Sequence, residues 1–233
     1  MLSNITAFIF ARGGSQGIKK KNLQIIGDKT LLEHSISIAK KVTRVSKVVV
    51  STDDKEIADI ALNSGAMVPF LRPSKLATNK ASEWRAWQHA IKEMRLIGER
   101  VDIFLSIPTT SPLRSVMDID NCLDKLEDNN TDIVITVRES ERSPYFNMVT
   151  LDNNLKAQLV INRDYHRRQD APEVFDITTV AYAAKANYIL GSKGIFEGNV
   201  VASIVPIERA IDIDSQFDLD LARFLFKQKN KKD

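Results

Sequence analysis

The amino-acid sequence predicts an α/β domain on a mostly parallel sheet. Three observations carry this reading. Short β-branched or aromatic runs alternate with helix-period segments, the pattern of βαβ units. A glycine-rich, cationic loop follows directly on the first such run. The 233 residues, 43% hydrophobic and 27% charged, suffice for one full core with a modest insertion.

Strands are expected at residues 6–10, 47–51, 67–70, 102–107, 132–137, 178–183 and 200–206, and helices fall between them. The segment 30–42 opens with Thr30 as a cap and brings Leu31, Leu32, Ser35, Ile38 and Val42 near one face. Segments 81–97 and 116–126 repeat that spacing, and a helix at 216–226 closes the domain. Trp84, Trp87, Ala90, Ile91 and Met94 recur at helical spacing and read as a core stripe. Asp28, Asn63, Gly65, Asn129 and Asn130 mark turns. Residues 138–175 break the rhythm with charge, aromatics and turn residues; they read as an insertion, either a lid or dimer arm or a long surface meander.

Composition narrows the function classes. Nine Gly and seven Pro exclude a collagen-like or linker-dominated chain, and the apolar content excludes general disorder. No run reaches the roughly eighteen apolar residues of a membrane helix, and Met1 to Phe10 has no basic n-region, so neither membrane insertion nor export is expected. The single cysteine, Cys122, has no partner for an internal disulfide and suits a reducing cytoplasm. A net charge of +3 argues only weakly for nucleic acid, and the cations cluster in one glycine loop rather than interleaving with aromatics.

That loop runs Ala11-Arg12-Gly13-Gly14-Ser15-Gln16-Gly17-Ile18-Lys19-Lys20-Lys21-Asn22. Glycines let backbone N–H groups converge on phosphate oxygens, and Arg12 and Lys21 can neutralise a triphosphate. Ile18-Lys19 follows Gly17 where a P-loop needs Lys-Ser or Lys-Thr, so that motif fails. Only Gly14 and Gly17 match a dinucleotide fingerprint, because Arg12 stands in place of its first glycine. The alternative is a basic surface turn without a ligand, although the end of a first strand is where open sheets bind ligands.

Near the end, Ala210-Ile211-Asp212-Ile213-Asp214-Ser215 alternates apolar and acidic residues. In an extended segment both carboxylates share a face, whereas in a helix they diverge by about 200°. Two like charges held close call for a cation, and Mg²⁺ binds through one or two carboxylates plus substrate phosphates. Asp214 or Ser215 equally suits the cap of the last helix, and the two roles can coexist.

In order and spacing, the glycine loop with Lys21-Asn22, Leu71-Arg72-Pro73, Thr110-Ser111-Pro112-Leu113-Arg114, Arg168-Gln169 and Asp212-Ile213-Asp214 resemble the acylneuraminate cytidylyltransferases, or CMP-sialic acid synthetases, over nearly the whole chain. The resemblance implies a Rossmann-like nucleotidyltransferase domain with a small dimerisation insertion, working as a homodimer. It implies a reaction of CTP with a nine-carbon 2-keto sugar acid that gives a CMP-sugar and pyrophosphate. By the same resemblance Arg12, Gly13, Gly14, Ser15, Gly17, Lys21 and Asn22 hold the CTP phosphates, with Lys21 and Arg12 nearest the chemistry. Arg72, Ala81 and Ser82 line the cytidine pocket. Thr110, Ser111, Arg168, Gln169 and Tyr182 contact the sugar acid, and Asp212 and Asp214 hold Mg²⁺, with Asp214 at the chemistry.

Gln16 stands where the family commonly has Lys, and Pro108-Thr109 precede Thr110 where it often has Gln-Pro. Residues 143–147 and 168–172 look closer to the legionaminic acid branch. No general base stands out, since His34, His89 and His166 lie away from the motif loops, and Ser15 and Ser111 lack an adjacent base. Other acidic sugars, such as a 3-deoxy-octulosonate or pseudaminate, and a catalytically silent nucleotide-binding protein are the alternative readings.

Overall fold

A computed structural model describes residues 4–15, 17–128 and 130–229. The chain begins with strand β1 (Ile5–Phe10), followed by the glycine loop and a small hairpin, β2 (Ile25–Ile26) and β3 (Lys29–Thr30). Helix α1 (Leu31–Lys41) starts at Thr30, whose hydroxyl accepts from Glu33 N while the Glu33 carboxylate accepts from Thr30 N, a reciprocal cap that satisfies two orphan amides. Then come β4 (Val45–Ser51), α2 (Lys55–Asn63), α3 (Glu83–Leu96), β5 (Ile103–Ser106), α4 (Val116–Leu126) and β6 (Ile133–Glu139). An excursion carrying the hairpin β7 (Val149–Leu151) and β8 (Ala157–Leu159) returns as the long β9 (Phe175–Lys185). The chain finishes with α5 (Ala186–Gly191), β10 (Val200–Ile204) and α6 (Gln216–Lys229).

The sheet order is β10-β6-β9-β5-β1-β4. β10 with β6, β5 with β1 and β1 with β4 run parallel; β9 is wedged antiparallel between β5 and β6. Alternate strand residues feed two cores, as a sheet covered on both faces requires. Ala7, Ile9, Val48, Val50 and Leu105 pack under α1, α2 and α4. Phe8, Val49, Phe104 and Tyr182 pack against Trp84, Trp87, Ile91 and Met94 of α3, so the tryptophan stripe is core. A third, smaller cluster joins Ile18 of the glycine loop to Ile26, Leu31, Ile213 and Leu219, docking α6 beside that loop.

Several expectations need correcting. Residues 67–70 form no strand: Met67 and Leu71 make isolated parallel bridges to Val49 and Thr52, so this segment only flanks the sheet edge. The helix expected from 81 begins at Glu83, and α2 and α5 fill two further spans between strands. The strand expected at 178–183 is the inner part of an eleven-residue strand. Residues 178–181 bulge opposite the single residue Thr136, whose hydroxyl donates to the Ala181 carbonyl at 2.9 Å and accepts from Ala181 N. The excursion between β6 and β9 is exposed along most of its length. No helix among the described residues is long and apolar enough to cross a membrane.

Candidate active site

The glycine loop leaves the carboxyl end of β1 and forms one wall of a cleft of about 520 Å³. Arg12, Ser15, Gly17, Lys21 and Asn22 line that wall; Pro108, Thr109, Thr110 and Thr179 form the floor, and Asp212 and Asp214 face the loop from the far side. A second cavity of about 290 Å³ adjoins it, bounded by Arg72, Leu76, Asn79, Ala81 and Ser82. Phe10, Arg12 and Glu83 belong to both, so one continuous trough results. A larger cavity of about 610 Å³ lies at the opposite, amino ends of β1, β4 and β5, away from the strand ends where open sheets bind ligands.

Within the loop, the residues divide into those that shape it and those that point into it. Asn22 is buried; its amide donates to the Arg12 carbonyl at 2.9 Å and accepts from the Thr109 hydroxyl at 2.6 Å, so it braces the loop. Gly13 N donates to Asp53 Oδ1, and a side chain on Gly13 would strike Asp54. Gly14 has open space beside it. Arg12 donates to Asn79 Oδ1 between the two cavities. Gln16 lies outside the described residues.

Lys21 closes the gap between the two ends of the chain. Its Nζ donates to Asp214 Oδ1 at 2.8 Å and to the Ile213 carbonyl at 2.9 Å. Burial of Ile213 against Ile18 turns its two acidic neighbours outward, as the alternating pattern predicts for an extended segment. Asp214 is exposed, whereas Asp212 Oδ1 is buried and has no hydrogen-bond partner among the described residues. An orphaned carboxylate oxygen in a cleft is costly without a cation. Two carboxylates beside a cationic glycine loop fit Mg²⁺, which favours one or two carboxylates with the remaining ligands phosphate oxygens and water; no cluster of three His, Cys, Asp or Glu suited to a metal occurs among the described residues.

Arg72 lies beneath the second cavity. It is buried, donates to the Ser51 hydroxyl and carbonyl, and rests 5.5 Å from the centre of the Phe10 ring. Burial lowers its pKa to about 10, so it keeps its charge at neutral pH. Ser82 caps α3 without a side-chain hydrogen bond to the helix, leaving its hydroxyl to the cavity.

The expected sugar contacts are only partly assembled. Thr110 lines the cleft; its carbonyl accepts from Ile213 N, which ties the floor to the acidic segment. Ser111 is fully buried behind Thr179 and does not face the cleft. Tyr182 is buried against Trp87, and burial, reinforced by the Glu83 and Asp212 carboxylates, raises its phenol well above the usual range. Arg168 and Gln169 sit in an exposed turn of the excursion, where Arg168 donates to the Glu141 carbonyl, and neither lines the cleft.

Sequence reading missed Glu83, Thr179 and the supporting role of Arg114. Glu83 is exposed as a residue, yet desolvation around its carboxyl raises its pKa, with Asp212 adding to the effect. Its only sequence signal was adjacency to Ser82. Arg114 is buried under the floor and donates to the Pro108 and Thr179 carbonyls and to Ser35 Oγ; burial lowers its pKa to about 9. Thr179 carried no local signal at all.

The profile of a protein family described as Cytidylyltransferase matches residues 6–230. The chain belongs to that family. Among relatives of this cytidylyltransferase, it is 32% identical over 230 residues to the post-translational flagellin modification protein B of Campylobacter coli, covering 98% of this chain and 97% of that one. It is 30% identical, with the same coverage, to the CMP-N,N'-diacetyllegionaminic acid synthase of Campylobacter jejuni. Its fold is similar to that of a CMP:2-keto-3-deoxy-manno-octonic acid synthetase complexed with CTP, with a TM-score of 0.73 over 97% of this chain and 100% of that one at 17% identity. The cytidylyltransferase thus has the α/β architecture read from its sequence, with a mostly parallel central sheet.

Proposed function

We propose that this cytidylyltransferase transfers CMP from CTP to a nine-carbon nonulosonic acid, releasing pyrophosphate. The observation that carries the reading is the Lys21–Asp214 contact, which sets a phosphate cradle and a carboxylate pair against each other across one cleft. The relative named for diacetyllegionaminic acid supports the acceptor class.

In this reading the triphosphate lies along the loop from Arg12 to Lys21, with the cytidine over Arg72, Ala81 and Ser82. The anomeric hydroxyl oxygen of the acid forms a bond to the α-phosphorus as the bond to the bridging oxygen of pyrophosphate breaks, and the hydroxyl proton is released. Arg12 and Lys21 neutralise charge on the phosphates, and the loop fixes the in-line geometry. Asp212 and Asp214 would hold Mg²⁺, which when bound supplies further charge neutralisation and acidifies a coordinated hydroxyl. Thr110 borders the acceptor, and Tyr182 packs in the core beneath that floor.

Arg168 and Gln169 reach a cleft through a homodimer, each excursion serving the partner's site. Val149, Leu151 and Leu159 are exposed on that hairpin, the apolar surface such a contact needs. Use of CTP and the fully buried, reduced Cys122 suit a cytoplasmic enzyme. The test is purified protein with CTP, Mg²⁺ and a panel of nonulosonic acids and a 3-deoxy-octulosonate, assayed for pyrophosphate. Release with a nonulosonic acid is expected; CTP binding with no release on any acid would overturn the reading.

A further inference from the structure

We infer that Thr179 is a specificity-determining residue: its hydroxyl donates a hydrogen bond to the carboxylate of the acidic acceptor. This rests on the acceptor reading above and adds to it a residue on β9 that no motif marks.

Three hydroxyls meet beneath the cleft, with Thr110 Oγ1 donating to Thr179 Oγ1 at 3.1 Å and Ser111 Oγ lying 2.8 Å from the same atom. Ser111 is fully buried, and Thr179 Oγ1 is its only side-chain hydrogen-bond partner among the described residues. Were Ser111 to accept from Thr179 instead, its own buried proton would have no acceptor, at a cost of about 1–3 kcal/mol. Ser111 therefore donates as well. A hydroxyl accepts two hydrogen bonds and donates one. With both acceptor positions of Thr179 filled from below, its proton is directed into the cleft that Thr179 lines.

The backbone holds this aim. The bulge opposite Thr136 buries Thr178, whose hydroxyl donates to Thr136 Oγ1 at 2.8 Å, and turns Thr179 to the other side. Such bulges redirect a side chain beside a site. Arg114 Nη2 donates to the Thr179 carbonyl at 3.2 Å, fixing the residue from behind. The donor is thus oriented before any ligand arrives, the arrangement that gains most from an anionic acceptor. The glycine-loop cations serve the phosphates, and Thr179 is absent from the walls of the Arg72 cavity, so the oxygen it meets belongs to the acceptor.

Thr179→Val keeps the shape but removes the donor together with the acceptor that Thr110 and Ser111 use, whereas Thr179→Ser keeps both. Steady-state kinetics with the nonulosonic acid that the wild-type enzyme uses should show KM for the acid raised roughly tenfold or more in Thr179→Val, as for a lost hydrogen bond to a charged group. KM for CTP should not move, and Thr179→Ser should restore the acid KM. An unmoved acid KM, a parallel rise in the CTP KM, or failure of the serine to restore binding would each overturn the assignment. If Thr179→Val melts early, Thr179→Ala against Thr179→Ser makes the same comparison. Wild-type protein that releases no pyrophosphate with any acid sinks the acceptor reading together with this one, whereas wild-type turnover with an indifferent valine variant sinks this one alone.

Discussion

The carbonyl oxygen of Asp214 lies against the α-carbon of Gly17, in the space where a side chain would stand. The obstruction is backbone, so no rotamer change relieves it. Gly17→Ala must push the acidic segment away from the loop, and a displacement of about 1 Å at such a site costs about 10²-fold in turnover. The measurement is kcat by pyrophosphate release beside a melting curve. Gly191→Ala, on α5 with open space around it, should retain wild-type turnover and serves as the control.

Lys21→Ala should lower kcat by about two orders of magnitude, the scale of losing a charge contact made in the transition state. A variant whose kcat holds while only the KM for CTP rises would make Lys21 a ground-state contact.

Asp214→Asn should cost about 10²-fold in turnover with the fold intact. Asp212→Asn should also lose activity, but in the presence of a chelator it should melt no lower than wild type, because Asp212 Oδ1 has no partner to lose and the variant no longer buries an unpaired charge. Chelation should abolish wild-type turnover and added Mg²⁺ restore it. Full activity in chelator would remove both aspartates from a metal site.

Away from the chemistry, Asp118 and Arg209 form a two-pronged ion pair, with Arg209 Nε and Nη2 at 2.9 Å from the carboxylate oxygens. Burial pushes the Asp118 carboxyl up, but donors from Arg209 and Ser115 outweigh it and hold the pKa below the usual value. A depressed folded pKa adds stability above the unfolded value of about 3.9 that is lost as pH falls through the folded value. Arg209→Ala should therefore destabilise the protein by about 3 kcal/mol near neutral pH, with the difference from wild type shrinking below about pH 4. Denaturant melts at pH 7 and pH 3.5 measure it; an equal loss at both would mean packing rather than charge.

Much of the cleft's lining was legible because its signals are local. A glycine loop after a strand and an alternating acidic pair each stand out within a dozen residues, and both line the cleft. Glu83 and Thr179 were not legible in that way. A carboxylate at a helix start and a threonine in a strand are ordinary by sequence, and only the cavity each one borders distinguishes it. Ser111 errs in the other direction: its motif neighbours face the cleft, yet the residue itself is sealed beneath Thr179.

By itself the sequence determined the alternation of strands and helices, the place of a cationic glycine loop at the end of the first strand and the shared face of Asp212 and Asp214. All of these follow from backbone periodicity and residue chemistry over short spans. Tertiary structure alone decided that Lys21 meets a carboxylate 193 positions away, that β9 is inverted between parallel neighbours and bulges at Thr179, and that Arg168 stays outside its own chain's cleft. Such outcomes depend on which apolar surfaces find each other, here Ile18 with Ile213, and no local pattern encodes the partner of a buried face.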